Sequence, residues 1–315
     1  MAIIGTSIFE AQTFLRNNII GIPTETVYGL AGNAFDPTIV ARIFEAKKRP
    51  AFDPLIVHTH STEAIERFAG PMHEGLRKLA DCFWPGPLTI LIPRKPIIPD
   101  IVTNGLPNVA VRIPNHPLTL ELLRSLPFPL AAPSANPFGY ISPTTAKHVN
   151  DQLGDELPFI LDGGPCGVGL ESTIVGIEND KITIYRLGGV SVEDIEKVVG
   201  PVNVRQHSSN PLAPGMLESH YAPRKKMLLG NSTKLLELNH HLKPILIRFN
   251  SRLIEYPDNL QLVLSPNSSV TEAAINLFSA LRTADELAIS LIIAEPVPDI
   301  GLGRAVNDRL KRAAF

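Results

Sequence analysis

Short apolar runs alternate with amphipathic stretches along most of the chain, and turn-forming residues separate them. The spacing predicts a helix over residues 9–17, with Phe9, Phe14 and Leu15 facing inward, and then a compact strand at 19–22. The segment PTETVYGLAGNA, rich in hydroxyls and glycine, reads as a loop at that strand's end, where α/β proteins commonly carry sites. Asp36 and Pro37 form an N-cap and first-turn signal for a helix over 38–47. A strand at 55–57, helices at 62–68 and 73–83, and strands at 88–92 and 109–113 follow, with an irregular proline-rich stretch over 93–108. A helix at 118–126 and a strand at 130–132 lead into the turn-dense PSANPFGYISPTT, where Ser142 before Pro143 predicts the cap of a helix over 144–153. Strands at 159–162 and 182–186 and a helix at 192–199 close the first region.

At Gly200 the periodicity lapses. Residues 1–200 therefore read as one domain, 201–225 as a linker, and 226–315 as a second domain of renewed strand–helix alternation. In that tail, strands at 245–248, 261–264 and 290–293, a helix at 271–285 and a last helix from about 305 indicate a small, largely parallel sheet. The class is α/β throughout.

Composition narrows the functional classes. A net charge of −2 argues against a globally basic nucleic-acid binder while leaving room for a local cationic pocket. Two cysteines, Cys82 and Cys166, lie far apart and outside any metal-ligand spacing, which fits a reducing compartment. The stretch MAIIGTSIFEAQTFL has no cationic leader pattern and no apolar run approaches a bilayer span, so a cytoplasmic location without membrane contact is expected.

No P-loop, G-x-S-x-G, H-E-x-x-H or helix-opening G-x-G-x-x-G occurs; Gly167 and Gly169 give only a G-x-G of the kind found in tight turns. The stretch IFEAKKRPAFDPLIVH carries the strongest signal. Pro50 pushes Arg49 out of the α region, so the helix ends near Lys47 and the Lys47 and Arg49 heads are placed to converge on one anion. The plainer reading is a solvated helix end whose cations complement the macrodipole. Around it, polar groups gather at strand ends: Thr24 and Thr26, then His58, Arg112, Ser134 with Asn136, and Glu171 with Ser172 and Thr173. Each taken singly has an ordinary turn-satisfying explanation. Arg112 is harder to dismiss, because an arginine ending an apolar strand wants an anionic partner and can clamp a carboxylate with two parallel bonds. Arg186 adds a third cation, Tyr28 an aromatic wall, and SHYAP an imidazole and a phenol in the linker. No nucleophile with an adjacent base is evident, so catalysis by positioning and electrostatics is the natural class.

In this order, PTETVYGLAGNA, AKKRPAFDPLIVH, WPGPLTIL, VAVRIPNHP, APSANPFGYISPTTAKHV, DGG, ESTIV and YRLGG resemble the YrdC-type L-threonylcarbamoyladenylate synthases. PGMLESHYAP and GLGRAVNDRL extend the resemblance to the long, two-domain form of that family. The resemblance implies a YrdC-like twisted open α/β sheet with a basic concave cavity, joined by a linker to a small Rossmann-like domain. It implies a nucleotidyltransferase: L-threonine, bicarbonate and ATP give L-threonylcarbamoyl-AMP and pyrophosphate, with Mg²⁺ held mainly by the nucleotide phosphates. A separate tRNA threonylcarbamoyl transferase complex would then modify adenosine 37 of tRNAs reading codons that begin with A. The KxR and SxN signatures fall on Lys47, Arg49, Ser134 and Asn136, the implied catalytic set. Thr26, His58, Arg112, Ala132 and Ser172 are implied for L-threonine. Arg49, Asp53, Asn108, Ser134, Ser142, Arg186 and Tyr221 are implied for ATP, Tyr221 reaching in with His220 from a linker that closes as a lid.

Two positions depart from the family's pattern. Asp53 stands where Asn is frequent, and a carboxylate there repels phosphates unless Mg²⁺ or a basic neighbour compensates. Asn108 stands where Thr is expected. Two other readings stay open: carbamoyl transfer as in hydrogenase-maturation proteins, whose acylphosphatase segment and Cys-rich motifs this chain lacks, and weak RNA binding in the basic cavity. The near-neutral charge and absence of an aromatic stacking motif weigh against the latter as a main activity.

Overall fold

The computed structural model describes residues 1–50, 53–205, 213–214 and 221–314. An eleven-stranded mixed sheet dominates it, in the spatial order Ile3–Gly5, Phe159–Leu161, Ile20–Ile22, Gly29–Asn33, Leu130–Ala131, Ile56–His58, Asn108–Arg112, Leu88–Pro93, Thr173–Glu178, Lys181–Arg186 and Asn203–Val204. The central pair Ile56–His58 and Asn108–Arg112 is parallel, with His58 in register with Arg112, so two polar residues end neighbouring strands side by side.

One face of the sheet carries the main core. Ile39, Val40, Ile43 and Phe44 of the helix Pro37–Lys47 pack there with Leu76, Leu79 and Ala80 of the helix Glu74–Phe83, against Val57, Ile90, Val109 and Val111. On the opposite face of the central strands lies a smaller cluster of Ile56, Leu91, Ala110, Ile174 and Tyr185, joined by Ala213 of the linker. A linker residue thus takes the place a helix would fill, and the cavity described below opens on that side.

The tail forms a second, all-parallel sheet in the order Lys226–Leu229, Leu291–Ala294, Ile245–Arg248 and Gln261–Val263. Its core does not stop at its own boundary. Val27, Ile141 and Leu170 of the first region share one apolar cluster with Phe278, Leu281 and Leu310 of the tail. Gly169 belongs to this junction. Its φ is +74°, and a Cβ there would stand 2.5 Å from Ile275 Cα and 2.6 Å from the Ala274 carbonyl oxygen. The G-x-G is therefore a close approach between backbones. Gly169→Ala is expected to cost about 1–3 kcal/mol, read as a lower melting temperature.

Several local expectations are corrected. Gly29–Asn33 is a strand, antiparallel to Ile20–Ile22, and lies inside what reads as a loop. Glycines hide its apolar alternation, and Gly32 is required because a Cβ would meet Ile39 at 2.6 Å. The strands Ile3–Gly5 and Lys226–Leu229 and the helix Ser232–Asn239 were likewise not expected. Of the three residues expected to face inward from the helix Ile8–Leu15, Leu15 is buried and Phe14 partly so, but Phe9 is 75% exposed and Ala11 is buried in its stead. Ser142 does not cap its helix: Thr145 does, accepting from His148 N at 3.2 Å, and the helix runs Ala146–Leu153.

Candidate active site

A partly open cavity lies beside the ends of the central strands. Of the residues expected to bind substrate, Thr26, Arg49, His58, Arg112 and Ala132 line it, as do Ser134, Ser172, Arg186 and Tyr221.

Arg112 anchors one side. Its Nε donates to Gly86 O at 3.2 Å and its Nη1 to Thr26 Oγ1 at 2.8 Å, so the guanidinium plane is fixed. Nη2 lies 2.7 Å from Glu25 Oε1 as an ion pair, without the angle for a hydrogen bond, and Nη2 has no hydrogen-bond acceptor among the described residues. The fork is thus oriented, partly neutralised, and still able to donate. Thr26 Oγ1 is itself set by Thr24 Oγ1 at 2.8 Å. Beside them His58 is buried with Nδ1 lacking a hydrogen-bond partner among the described residues. Burial, and then the positive charge of Arg112, push its pKa down to about 3, so it is a neutral polar group in ordinary buffers.

Ser172 closes this side from below. Its Oγ shares a 2.7 Å hydrogen bond with Thr89 Oγ1 and accepts from Arg186 Nη2 at 3.1 Å. Arg186 also reaches Ser172 O and, at 3.4 Å, Pro214 O of the linker. Burial lowers its pKa to about 10, and it remains a cation at neutral pH.

The basic stretch at the helix exit resolves differently from the expectation that both cations face one anion. The chain does leave the helix after Lys47, Lys48 taking a left-handed φ of 51°. Arg49 then enters the cavity wall, donating from Nε to Asp53 O at 3.1 Å and from Nη2 to Pro54 O at 2.9 Å. Lys47 does not line the cavity. It is buried, and its Nζ donates to Ser134 O at 2.6 Å and Asn136 O at 2.5 Å. Asn136 is also turned away, its Nδ2 donating to Pro137 O and Tyr140 O. Lys47 and Asn136 therefore shape the loop that presents Ser134, because two carbonyls facing inward demand a donor that only a long cation supplies here. Burial, followed by the charge of Arg49, pushes the Lys47 pKa well below its ordinary value.

Asp53 is fully buried, 2.8 Å from Arg49 Nη2, and does not line the cavity. The basic neighbour that its carboxylate calls for is Arg49. Asn108 is exposed and outside the lining; it shares the strand face of Ala110 and Arg112 but lies roughly 13 Å along the strand from Arg112. Ser142 stands behind the wall, its Oγ donating to Glu171 Oε1 at 2.5 Å. His220 lies outside the described residues. Tyr221 is buried with φ +66°, its ring 5.6 Å from Phe278 of the tail.

Two residues central to this geometry were missed. Glu25, inside the PTETVYGL run, pairs with Arg112, and an acidic residue three positions past a strand end was the available signal. Arg309 joins Glu171 across 138 positions of sequence, which no local pattern reveals.

Residues 12–188 match a Sua5/YciO/YrdC family model described as telomere recombination, and residues 190–315 match a model described as threonylcarbamoyl-AMP synthase, C-terminal domain. A Bacillus subtilis threonylcarbamoyl-AMP synthase is 39% identical, the alignment covering 98% of this chain and 92% of the relative. A Pyrococcus abyssi protein of the same name is 37% identical over 96% of this chain and 93% of its own. The crystal structure of P. abyssi Sua5 complexed with L-threonine superposes with a TM-score of 0.92 at 37% identity, covering 100% of this chain and 97% of the other. A full-length HypF structure, at 14% identity and a TM-score of 0.51, shares the fold alone.

Proposed function

The chain belongs to the Sua5/YrdC family of threonylcarbamoyl-AMP synthases in its two-domain form, and from that premise we propose how its cavity divides the work between substrates. The reaction joins L-threonine, bicarbonate and ATP into L-threonylcarbamoyl-AMP, releasing pyrophosphate. The observation that carries the division is Arg112: a buried, oriented fork with donors still to place, flanked by a neutral imidazole.

Arg112 takes the threonine carboxylate, and Thr26, His58, Ala132 and Ser172 enclose the rest of the amino acid. The threonine amine, unprotonated, attacks the bicarbonate carbon and water leaves. An oxygen of the resulting carbamate attacks the α-phosphorus of ATP, and the bond to the β,γ-diphosphate breaks. Arg49 and Arg186 stabilise charge developing on the phosphates. Ser134 contacts the nucleotide directly, while Lys47 and Asn136 set its loop, Asp53 aims Arg49, and Ser142 acts through Glu171. Asn108, on the same face farther out, meets the distal end of a long ligand. The carboxylates at or beside the cavity, Glu25, Glu171 and Asp53, are each paired with an arginine, and no metal-holding cluster exists among the described residues. Mg²⁺ therefore fits as a companion of the nucleotide phosphates better than as a protein-held ion.

Residues 1–200 form the catalytic domain in this reading, 226–315 the tail domain, and 201–225 a lid. Pro214 and Tyr221 at the cavity support that role, since closing over the product would shield it from water. The product passes to a tRNA-modifying transferase complex, with any direct RNA contact weak. No helix among the described residues is long and apolar enough to cross a membrane, which supports a cytoplasmic site of action. Pyrophosphate release from ATP is expected to require both L-threonine and bicarbonate, measured by a coupled phosphate assay. Release indifferent to either substrate would sink this assignment.

A further inference from the structure

The tail domain reaches the cavity through side chains, not only through its core. Glu171 lines the cavity wall and is buried, and its two oxygens have different partners. Oε1 accepts from Ser142 Oγ at 2.5 Å; Oε2 accepts from Arg309 Nε at 2.9 Å. Arg309 lies on the last helix, Gly303–Ala313, and is fully buried. Its Nη2 donates to Leu187 O at 2.8 Å, and its guanidinium carbon stands 4.8 Å from the Tyr221 ring centroid. From another tail helix, Val270–Glu286, Arg282 donates to the backbone oxygens of Ser142 and Ile141. Two tail arginines thus grip the Ser142–Glu171 pair from behind, one through backbone and one through charge.

We infer that Arg309 is a positioning residue of the synthase reaction, holding Glu171 compensated and aimed at Ser142 so that the cavity accepts a polyanion. The inference rests on assigning this cavity to ATP. A bare carboxylate in the wall would oppose a triphosphate, and Arg309 is the cation that cancels it. Burial alone would raise the Glu171 pKa; the charges of Arg309 and then Arg186, with the Ser142 hydrogen bond, hold it below the ordinary carboxylate value. The charged groups acting on Glu171 are Arg309 and, on the adjoining strand, Arg186; around Arg309 stand its helix neighbour Asp308, which also pairs with Arg312, and the Tyr221 ring. Asp308 also pairs with Arg309, so neutralising Glu171 does not strand the arginine.

The test compares pyrophosphate release by the full-length protein, Arg309→Gln, Glu171→Gln and the double variant across pH 6–9. In Arg309→Gln the KM for ATP is expected to rise about tenfold, and to rise further with pH as Glu171, left with Arg186 and the Ser142 hydrogen bond alone, ionises. Threonine affinity by calorimetry should stay within about threefold, since the threonine side is held by separate partners. Glu171→Gln should suppress the ATP defect and its pH dependence in the double variant, because the amide oxygen still accepts from Ser142 without a charge. A purely structural arginine would give a defect that ignores pH and persists in the double variant, and that outcome overturns the inference. So does a wild-type KM in Arg309→Gln. If Arg309→Gln fails to fold, the neutral double variant is expected to fold and to bind ATP normally; its failure counts against the inference equally. Wild-type release that ignores threonine would instead indict the assignment of the cavity.

Discussion

Arg112→Met is expected to lower kcat/KM for threonine by about a thousandfold, a loss of roughly 4 kcal/mol in transition-state binding. The size follows from what the side chain does at once. It presents oriented donors to a carboxylate in a buried site, and its plane is already fixed by Gly86 O and Thr26 Oγ1, so little ordering cost remains on binding. Arg112→Lys keeps a charge but loses the fork, and should recover about tenfold at most. Removing Arg112 also strands Glu25, whose carboxylate is largely buried beside it. Destabilisation and lost binding would then be confounded, and Glu25→Gln separates them. In the double variant Arg112→Met/Glu25→Gln, thermal stability should return toward wild type while threonine binding stays lost. Threonine binding by Arg112→Met within about threefold of wild type, measured by calorimetry, would remove Arg112 from the carboxylate's contacts.

The same residues show how far the chain could be read before its fold was known. His58 and Arg112 were legible because each ends a short apolar run, and parallel neighbours bring equivalent strand ends together. Arg49 was legible because Pro50 ends the helix before it. Lys47 was half legible: its place at the helix exit was right, but its direction was not. Which way a long side chain turns depends on carbonyls that arrive from 87 and 89 positions away, and the sequence around Lys47 says nothing about them. Ser142 was placed on the right loop for the wrong reason. A serine before proline looks like a cap, yet its hydroxyl is taken by Glu171 and the cap passes to Thr145. Gly29–Asn33 escaped notice because a strand that must let Ile39 and Ile19 approach cannot carry the side chains by which strands are recognised. Arg309 fell within a motif of the family resemblance, but its role was beyond reach. It sits in GLGRAVNDRL, which reads as an ordinary amphipathic helix until the tail's packing delivers it to Glu171. Motif residues at strand ends were therefore readable, whereas the residues that hold them were not, since holding is a property of long-range packing.

His58→Asn is expected to flatten the protein's acid sensitivity. The native pKa of His58 is about 3 against an ordinary 6.5, so below pH 6.5 the unfolded chain takes up a proton that the folded chain refuses. Stability from this group is complete above pH 6.5 and is lost as pH falls toward 3. Between pH 7.5 and 4.5 that component amounts to roughly 2–3 kcal/mol, and asparagine, neutral throughout, lacks it. Urea unfolding of both proteins at the two pH values measures it directly: the wild type should lose that much more than the variant. Equal losses would mean that His58 protonates as readily in the folded chain as in the unfolded one. The neutrality also has a catalytic meaning. A protonated imidazole beside Arg112 would add a second cation that competes for the threonine carboxylate, whereas a neutral one can accept from, or donate to, the threonine hydroxyl. His58 should accordingly contribute no titration to kcat/KM for threonine between pH 5.5 and 8, and His58→Asn should leave the shape of that profile unchanged while lowering its height. A wild-type limb in that range that vanishes in the variant would show His58 changing charge at the site, and would reverse its assignment from a neutral hydrogen-bonding wall to a proton-transferring group.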